Sequence, residues 1–459
     1  MGMIRGVSRV EKLVGGGRRE TCRRRPFFML FSELISLKRL LVPPASGLKY
    51  FVGGPGGVKM AVDNRTCFSS IEELRRFHPA SLAGFLRRHK EYAARMGVTV
   101  PENPTDENMP WKALPGLFMR RLPDTPMMML TDMALIAEMA TASGHDKLVA
   151  EIERLKREAP KTLEGLDLTE KAGMTDHDFA MQVCLEKRDL LEKAHARVVL
   201  FKKSSFDYYP AYGVEIPPLL IGESEDLSKL EKSLDVWFHG NNRGLGTKVL
   251  MFPFPEEIWF LIGHGSKPVR IGCLDESGGR VTFFGRPEEY DAVIFRKDFG
   301  ELRIRAEAKF HPMYLLKFGE LLLGNGDFFS HRDVFTLEGL RSGNPAAITW
   351  GVEDGFEGVR LVELGYELPS GRIVIQRSKG CLLHGAEPGE VLVPDNAVRV
   401  VRARFGIRFP GARDCRIVRV DAGRCAQYCR DGDSSAVEAW LRKREFMIMP
   451  KGHKHEKAA

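Results

Sequence analysis

Three residues in one short stretch have the types and spacing for chemistry. "YDAVIFRKDFGELRIRAEAK", Tyr290 to Lys309, reads as a strand, a glycine turn and a second strand. Asp291 stands on the first strand, and Glu307-x-Lys309 ends the second. Two converging carboxylates supply the oxygen ligands that Mg²⁺ takes at roughly 2.1 Å. A metal held there stabilises charge on a phosphorane and activates water. An i, i+2 spacing on a strand puts Glu307 and Lys309 on one face.

The hairpin resembles the short motif of the restriction-endonuclease-like nucleases. In that family an Asp on one strand and an acid-x-Lys on the next bind a divalent metal and position the attacking water. The resemblance spans about twenty residues and implies Asp291 and Glu307 as Mg²⁺ ligands, with Lys309 as the catalytic residue that orients the nucleophile. The same residues also fit a plain half-solvated strand, with Leu302, Ile304, Ala306, Ala308 and Phe310 on one face. Glu301, Arg303, Arg305, Glu307 and Lys309 then form the charged face. Register separates the two readings, because directly opposed residues share a face and a one-residue slip reverses it. With Phe295 opposite Leu302, Asp291 meets Ala306 on the apolar face, away from Glu307. With Phe295 opposite Glu301, Asp291 meets Arg305 on the face of Glu307. The first strand is apolar on both faces, so the sequence leaves both registers open.

Other patterns carry less chemistry. "HGNNRGLGTK", His239 to Lys248, has five residues between Gly240 and Gly246 and Thr before Lys, so it is a glycine-rich turn and not a phosphate loop. His264 in "LIGHGSKP" has no accompanying nucleophile turn and reads as structural or solvated. Eight cysteines are scattered without a C-x-x-C pair, which argues against a disulfide framework and a zinc site and for free thiols in a reducing cytosol. Arg402 and Arg404 share a face of one strand, and Arg416 and Arg419 lie on the next. Guanidinium groups suit carboxylate or phosphate, so this stripe is the candidate contact for a protein or nucleic-acid partner. Asp395, Asp414 and Asp421 stand near enough in sequence to pair with it.

The net charge of +8 comes from the first 59 residues, where twelve Lys/Arg face three Glu, whereas the rest of the chain is near neutral. That segment reads as a basic leader outside the native protein. Gly56-Gly57-Val58-Lys59-Met60 back-translates to a purine-rich ribosome-binding sequence ahead of a start at Met60, as in a bacterial gene. A transit peptide and a basic arm are the other readings. No uninterrupted apolar run is long enough to span a bilayer.

The elements that must position these residues divide the 459-residue chain. Residues 60–204 read as a helical domain, with Ser70 and Thr175 as N-caps and one long helix running from Thr175 to about Val199. "DYYPAYGVEIPPLLIGES" reads as a boundary. Residues 215–330 read as an antiparallel meander plus the helix "HPMYLLKFGELLLGNG". Residues 331–445 form a second β-rich module closed by a helix with Ser435 and Glu438 as a capping box, and 446–459 are a loose tail. The fold class expected is α+β: a mostly helical N-terminal region followed by two antiparallel β-rich modules with short helices. The function expected is a non-catalytic cytoplasmic protein that binds a protein or nucleic-acid partner and needs no cofactor. The alternative is a Mg²⁺-dependent nuclease using Asp291, Glu307 and Lys309.

Overall fold

The computed structural model describes residues 65–119, 125–164, 174–211, 216–220, 224–274, 278–384, 391–430, 432 and 434–448. All of them belong to one compact unit, Val58–Ala459. The basic leader, its Met60 and the tail beyond Ile448 lie outside the described residues.

The fold is α+β, with the helices first. These are α1 (Ile71–Leu74), α2 (Pro79–Arg88), α3 (Lys90–Arg95), α4 (Leu114–Met119), α5 (Met127–Met139), α6 (Ala142–Glu158), α7 (Asp176–Glu186) and α8 (Arg188–Phe201). Ser70 Oγ accepts the Glu73 N–H at 3.2 Å and Thr175 Oγ1 accepts the Asp178 N–H at 3.1 Å, so both expected caps form. The single long helix expected after Thr175 is instead two, because Lys187 leaves helical geometry (φ −143°, ψ 67°) between α7 and α8. Phe68, Phe85, Phe118, Ile136, Leu148 and Leu191 centre the core of this helical region.

The strands are β1 (Ser205–Tyr209), β2 (Lys248–Pro253), β3 (Glu257–Gly265), β4 (Val269–Leu274), β5 (Arg280–Gly285), β6 (Glu288–Arg296), β7 (Glu301–Arg305), β8 (Gly358–Glu367), β9 (Ile373–Arg377), β10 (Arg399–Arg408), β11 (Arg416–Asp421) and β12 (Cys425–Gln427). Ten of them make one sheet in the order β2-β3-β6-β7-β1-β12-β11-β10-β8-β9, and β4 and β5 form a separate hairpin. The stretch around Tyr208, expected as a boundary, is therefore the central strand. β1 pairs antiparallel with β7 on one side and β12 on the other, which joins both β-rich regions into one sheet. Three helices accompany it: α9 (Ser224–Gly240), which was not expected, α10 (His311–Leu323) and α11 (Ser434–Lys443). α10 has Pro312 in its first turn and stops at Gly324 (φ 68°), as its sequence signals. Phe446 and Met447, expected in the loose tail, are buried.

The two faces of the sheet are covered differently. One face, bearing Tyr208, Trp259, Ile294, Ala403 and Phe405, packs under α8 and α11, with Leu200, Val437 and Trp440 in its core. On the other face, β2, β3, β6 and β7 present Val249, Phe260, Val293 and Leu302 to α9 and α10. β2, β3 and β6 are apolar on both sides and must be covered on both, whereas β7 gives only its apolar side, Leu302 and Ile304, to these helices. β8 to β11 alternate, and on them the second face is open to solvent: Ile375 on β9 and Ile417 on β11 are 41% and 51% exposed. Among the described residues no helix is long and apolar enough to cross a membrane.

Candidate functional site

The β6–β7 hairpin forms in the first of its two registers. Phe295 opposes Leu302 and Val293 opposes Ile304, with Asp291 opposite Ile262 of β3. Asp291 is buried beneath α9 and α10, where its Oδ2 accepts the Tyr314 hydroxyl at 2.8 Å and meets His264 Nε2 at 3.0 Å. His264, read as structural or solvated, is buried near the end of β3 and stacks on Phe238 with ring centroids 4.1 Å apart. Burial works against its charged form, but the hydrogen bond and charge of Asp291 outweigh that and raise its pKa.

The second strand ends sooner than the sequence suggests. β7 stops at Arg305, and Glu307 begins a short 3-10 turn, Ala308–Phe310, that leads into α10. The reason is Phe310, which turns fully inward to lie 5.1 Å from the Trp237 ring and 5.6 Å from Phe238, just before Pro312 sets the first turn of the helix. Glu307 and Lys309 therefore do not project from a strand. Their side chains pair at 2.6 Å on the surface, and Glu307 also pairs with Arg243, which holds Glu289 at 2.6 Å. Burial would raise the Glu307 pKa, but its bonds to Lys309 and Arg243 lower it. The fold thus brings Asp291 together with His264 and Tyr314, and Glu307 with Arg243 and Lys309. Among the described residues no group of three or more His, Cys, Asp or Glu side chains is placed to hold a metal ion.

On the charged side of β7, expected in solvent, Arg305 is exposed but Glu301 and Arg303 are buried. Glu301 and Arg303 are 5% and 1% exposed. Arg303 donates to both oxygens of Glu438 on α11, at 2.8 and 2.9 Å, and to Glu301 at 2.7 Å. Arg296 adds a bond to Glu438 at 2.7 Å, Tyr428 one at 2.6 Å and Arg430 one at 3.2 Å. Glu438 is therefore no capping-box residue: its carboxylate points into the sheet. Burial pushes its pKa up, but Arg303, Arg430 and Arg296 overcome this and hold it at about 2. Burial wins at Glu301, whose pKa is raised despite Arg303. This network fastens α11 to the centre of the sheet.

The arginine stripe lies on the open half of the second face. Arg402 opposes Asp421 and Arg404 opposes Arg419, so these four side chains share that face. Arg416 does not. It sits at the start of β11 opposite buried Ile407, three residues from Arg419 and so on the other face, with its guanidinium over the Phe409 ring at 5.1 Å. Two arginines that the sequence did not single out take its place: Arg360, opposite Gly406, and Arg377, opposite Glu363. Asp421 accepts from Arg402 at 2.6 Å and from Arg419 at 2.5 Å. Glu363 accepts from Arg377 at 2.7 Å and lies 3.4 Å from Arg404. Of the nearby acids proposed as partners, Asp421 pairs with the stripe. Five guanidinium groups (Arg360, Arg377, Arg402, Arg404 and Arg419) thus stand around the carboxylates of Asp421 and Glu363, and on the same face Arg399 donates at 2.8 Å to Glu367, which stands opposite Ile373. Arg360 and Arg377 were legible only as members of alternating strands, since nothing local places them beside Arg404.

Compared with models of protein families and with curated proteins, the chain matches none. The reading of function rests on the geometry alone.

Proposed function

We propose that the chain is a non-catalytic cytoplasmic binding protein whose open sheet face docks an acidic protein surface. The observation that carries this is the excess of guanidinium groups on a face left uncovered while the same face of β2, β3, β6 and β7 lies under two helices. Arg404 stands directly opposite Arg419, a like-charge pair that costs stability in the free protein and is relieved by an added carboxylate. The countercharges sit beneath the arginines: Glu363 is 2% exposed at its side chain and Arg377, its partner, 68%. Arginine is enriched at protein interfaces, where its planar fork meets carboxylate with two hydrogen bonds. Exposed Ile373, Ile375 and Ile417 lie among these arginines, and aliphatic anchors fit a protein partner better than bases, which stack on aromatic rings.

The test is binding of poly-glutamate and of duplex DNA across a salt series. Wild-type protein is expected to bind poly-glutamate with a salt-dependent affinity, and Arg402→Ala plus Arg404→Ala to weaken it at least tenfold with a shallower salt slope. Unchanged affinity and slope in the double variant would remove this face as the contact. Tighter binding of DNA than of poly-glutamate, lost in the same variant, would replace the protein partner with nucleic acid.

A further inference from the structure

The sheet has two edges, and they are built differently. At β2 the outward backbone is blunted. Glu231 of α9 accepts the Val249 N–H at 2.8 Å, Lys248 is exposed, and Pro253 has no N–H to offer. Lysine, proline and a covering helix are the usual means of keeping a sheet edge from pairing with another chain. β9, at the other edge, has none of these among the described residues.

The orientation of β9 follows from its two flanking bonds. Leu368 N–H donates to the Arg372 carbonyl at 2.9 Å, and Ser378 N–H donates to the Val362 carbonyl at 3.0 Å. In an antiparallel pair the N–H and C=O of one residue point to the same side, and successive residues alternate. Residues 372, 374, 376 and 378 therefore turn toward β8, and Ile373, Ile375 and Arg377 turn their N–H and C=O groups outward. Among the described residues these groups meet no partner. The side chains of the same three residues lie on the open arginine face. Ile373 and Ile375 are 56% and 41% exposed, and Arg377 shares the single carboxylate of Glu363 with Arg404.

We infer that β9 accepts an extended acidic segment of the partner as an eleventh, antiparallel strand. The inference rests on the open face being the docking surface. Cross-strand pairing defines the chemistry of the segment: Asp or Glu opposite Arg377, then apolar residues opposite Ile375 and Ile373. Read from its N-terminus, the segment is acid-x-apolar-x-apolar. Main-chain hydrogen bonds to the edge supply affinity, and the alternate side chains supply selectivity.

The experiment uses the full chain and a fluorescent peptide of about ten residues with a Glu-x-Val-x-Val core, followed by anisotropy. The peptide is expected to bind saturably. A version N-methylated at alternate amides, or with Lys in place of Glu, should bind at least tenfold more weakly. Ile375→Pro removes one outward N–H, a change that edge strands accommodate, and should weaken binding at least tenfold with little change in Tm. Arg377→Glu should reverse the preference toward the Lys peptide. Absence of saturable binding, or equal binding of the parent and N-methylated peptides, overturns the proposal, and the latter comparison holds even if Ile375→Pro fails to fold. If Arg402→Ala plus Arg404→Ala abolishes poly-glutamate binding while Ile375→Pro and N-methylation leave peptide binding intact, the docking face stands and the added strand falls. The converse pattern keeps the edge strand and removes the face.

Discussion

Replacing Glu438 with alanine would leave Arg303, Arg430 and Arg296 gathered around a missing countercharge. The side chains of Arg303 and Arg430 are 1% and 0% exposed, so water cannot take the place of the carboxylate without opening the contact between α11 and the sheet. Removing one partner of a buried ion pair costs roughly 3–5 kcal/mol. Linkage supports that scale. A carboxyl held at about 2 against an ordinary 4.5 contributes about 3 kcal/mol at neutral pH. Because this pKa is depressed in the folded state, the contribution is fully present above 4.5 and is lost as the pH falls through about 2. Glu301 works in the opposite sense, since a raised carboxyl pKa disfavours the fold at neutral pH and that penalty is relieved on acidification. Urea unfolding at pH 7, followed by tryptophan fluorescence, should show Glu438→Ala losing about 3–5 kcal/mol. Glu438→Gln should lose most of the same amount, because it keeps the shape and not the charge. Combining Glu438→Leu with Arg303→Met should recover part of it, since apolar replacement of a whole buried pair is often tolerated. A loss below about 1 kcal/mol for Glu438→Ala, the scale of an exposed pair, would refute the reasoning.

Asp291→Asn should lower the pKa of His264, read by NMR titration, because the charge that raises it is gone. The stability from this pair is present below 6.5 and lost as the pH rises through the folded value, so wild type and variant should converge at alkaline pH. Gly265→Ala would drive a methyl group into the Arg243 carbonyl oxygen, and urea unfolding should show a loss of about 1–3 kcal/mol. Glu307→Ala and wild type should be alike in failing to cleave duplex DNA with Mg²⁺. Metal-dependent cleavage by wild type that the variant loses would favour the nuclease reading over the binding one.

Much of the architecture was open to local reading. The caps at Ser70 and Thr175, the Pro312 and Gly324 limits of α10, and the alternation of β8, β10 and β11 all follow from preferences that act within a few residues. Local signals failed where a distant partner set the outcome. β1 is five residues followed at once by Pro210, and it is a strand because β7 and β12 supply hydrogen bonds on both sides. β7 ends at Arg305 because Phe310 is claimed by Trp237 and Phe238 of α9. Its alternating charges look like a solvated face, and Arg303 is buried among them where it meets Glu438, 135 residues later.

For the site, the sequence by itself determined which residues could matter: carboxylates and lysine in one hairpin, and arginines in period two on another. Register and coverage decided what they do. Register is a relation between two strands, and β6 is apolar on both faces, so no local pattern chooses it; the structure turns Asp291 into the core and Arg416 away from Arg419. Coverage depends on where helices from elsewhere in the chain come to rest. α9 and α10 settle on the strands that are apolar on both sides, and the arginines of β8 to β11 are left facing water.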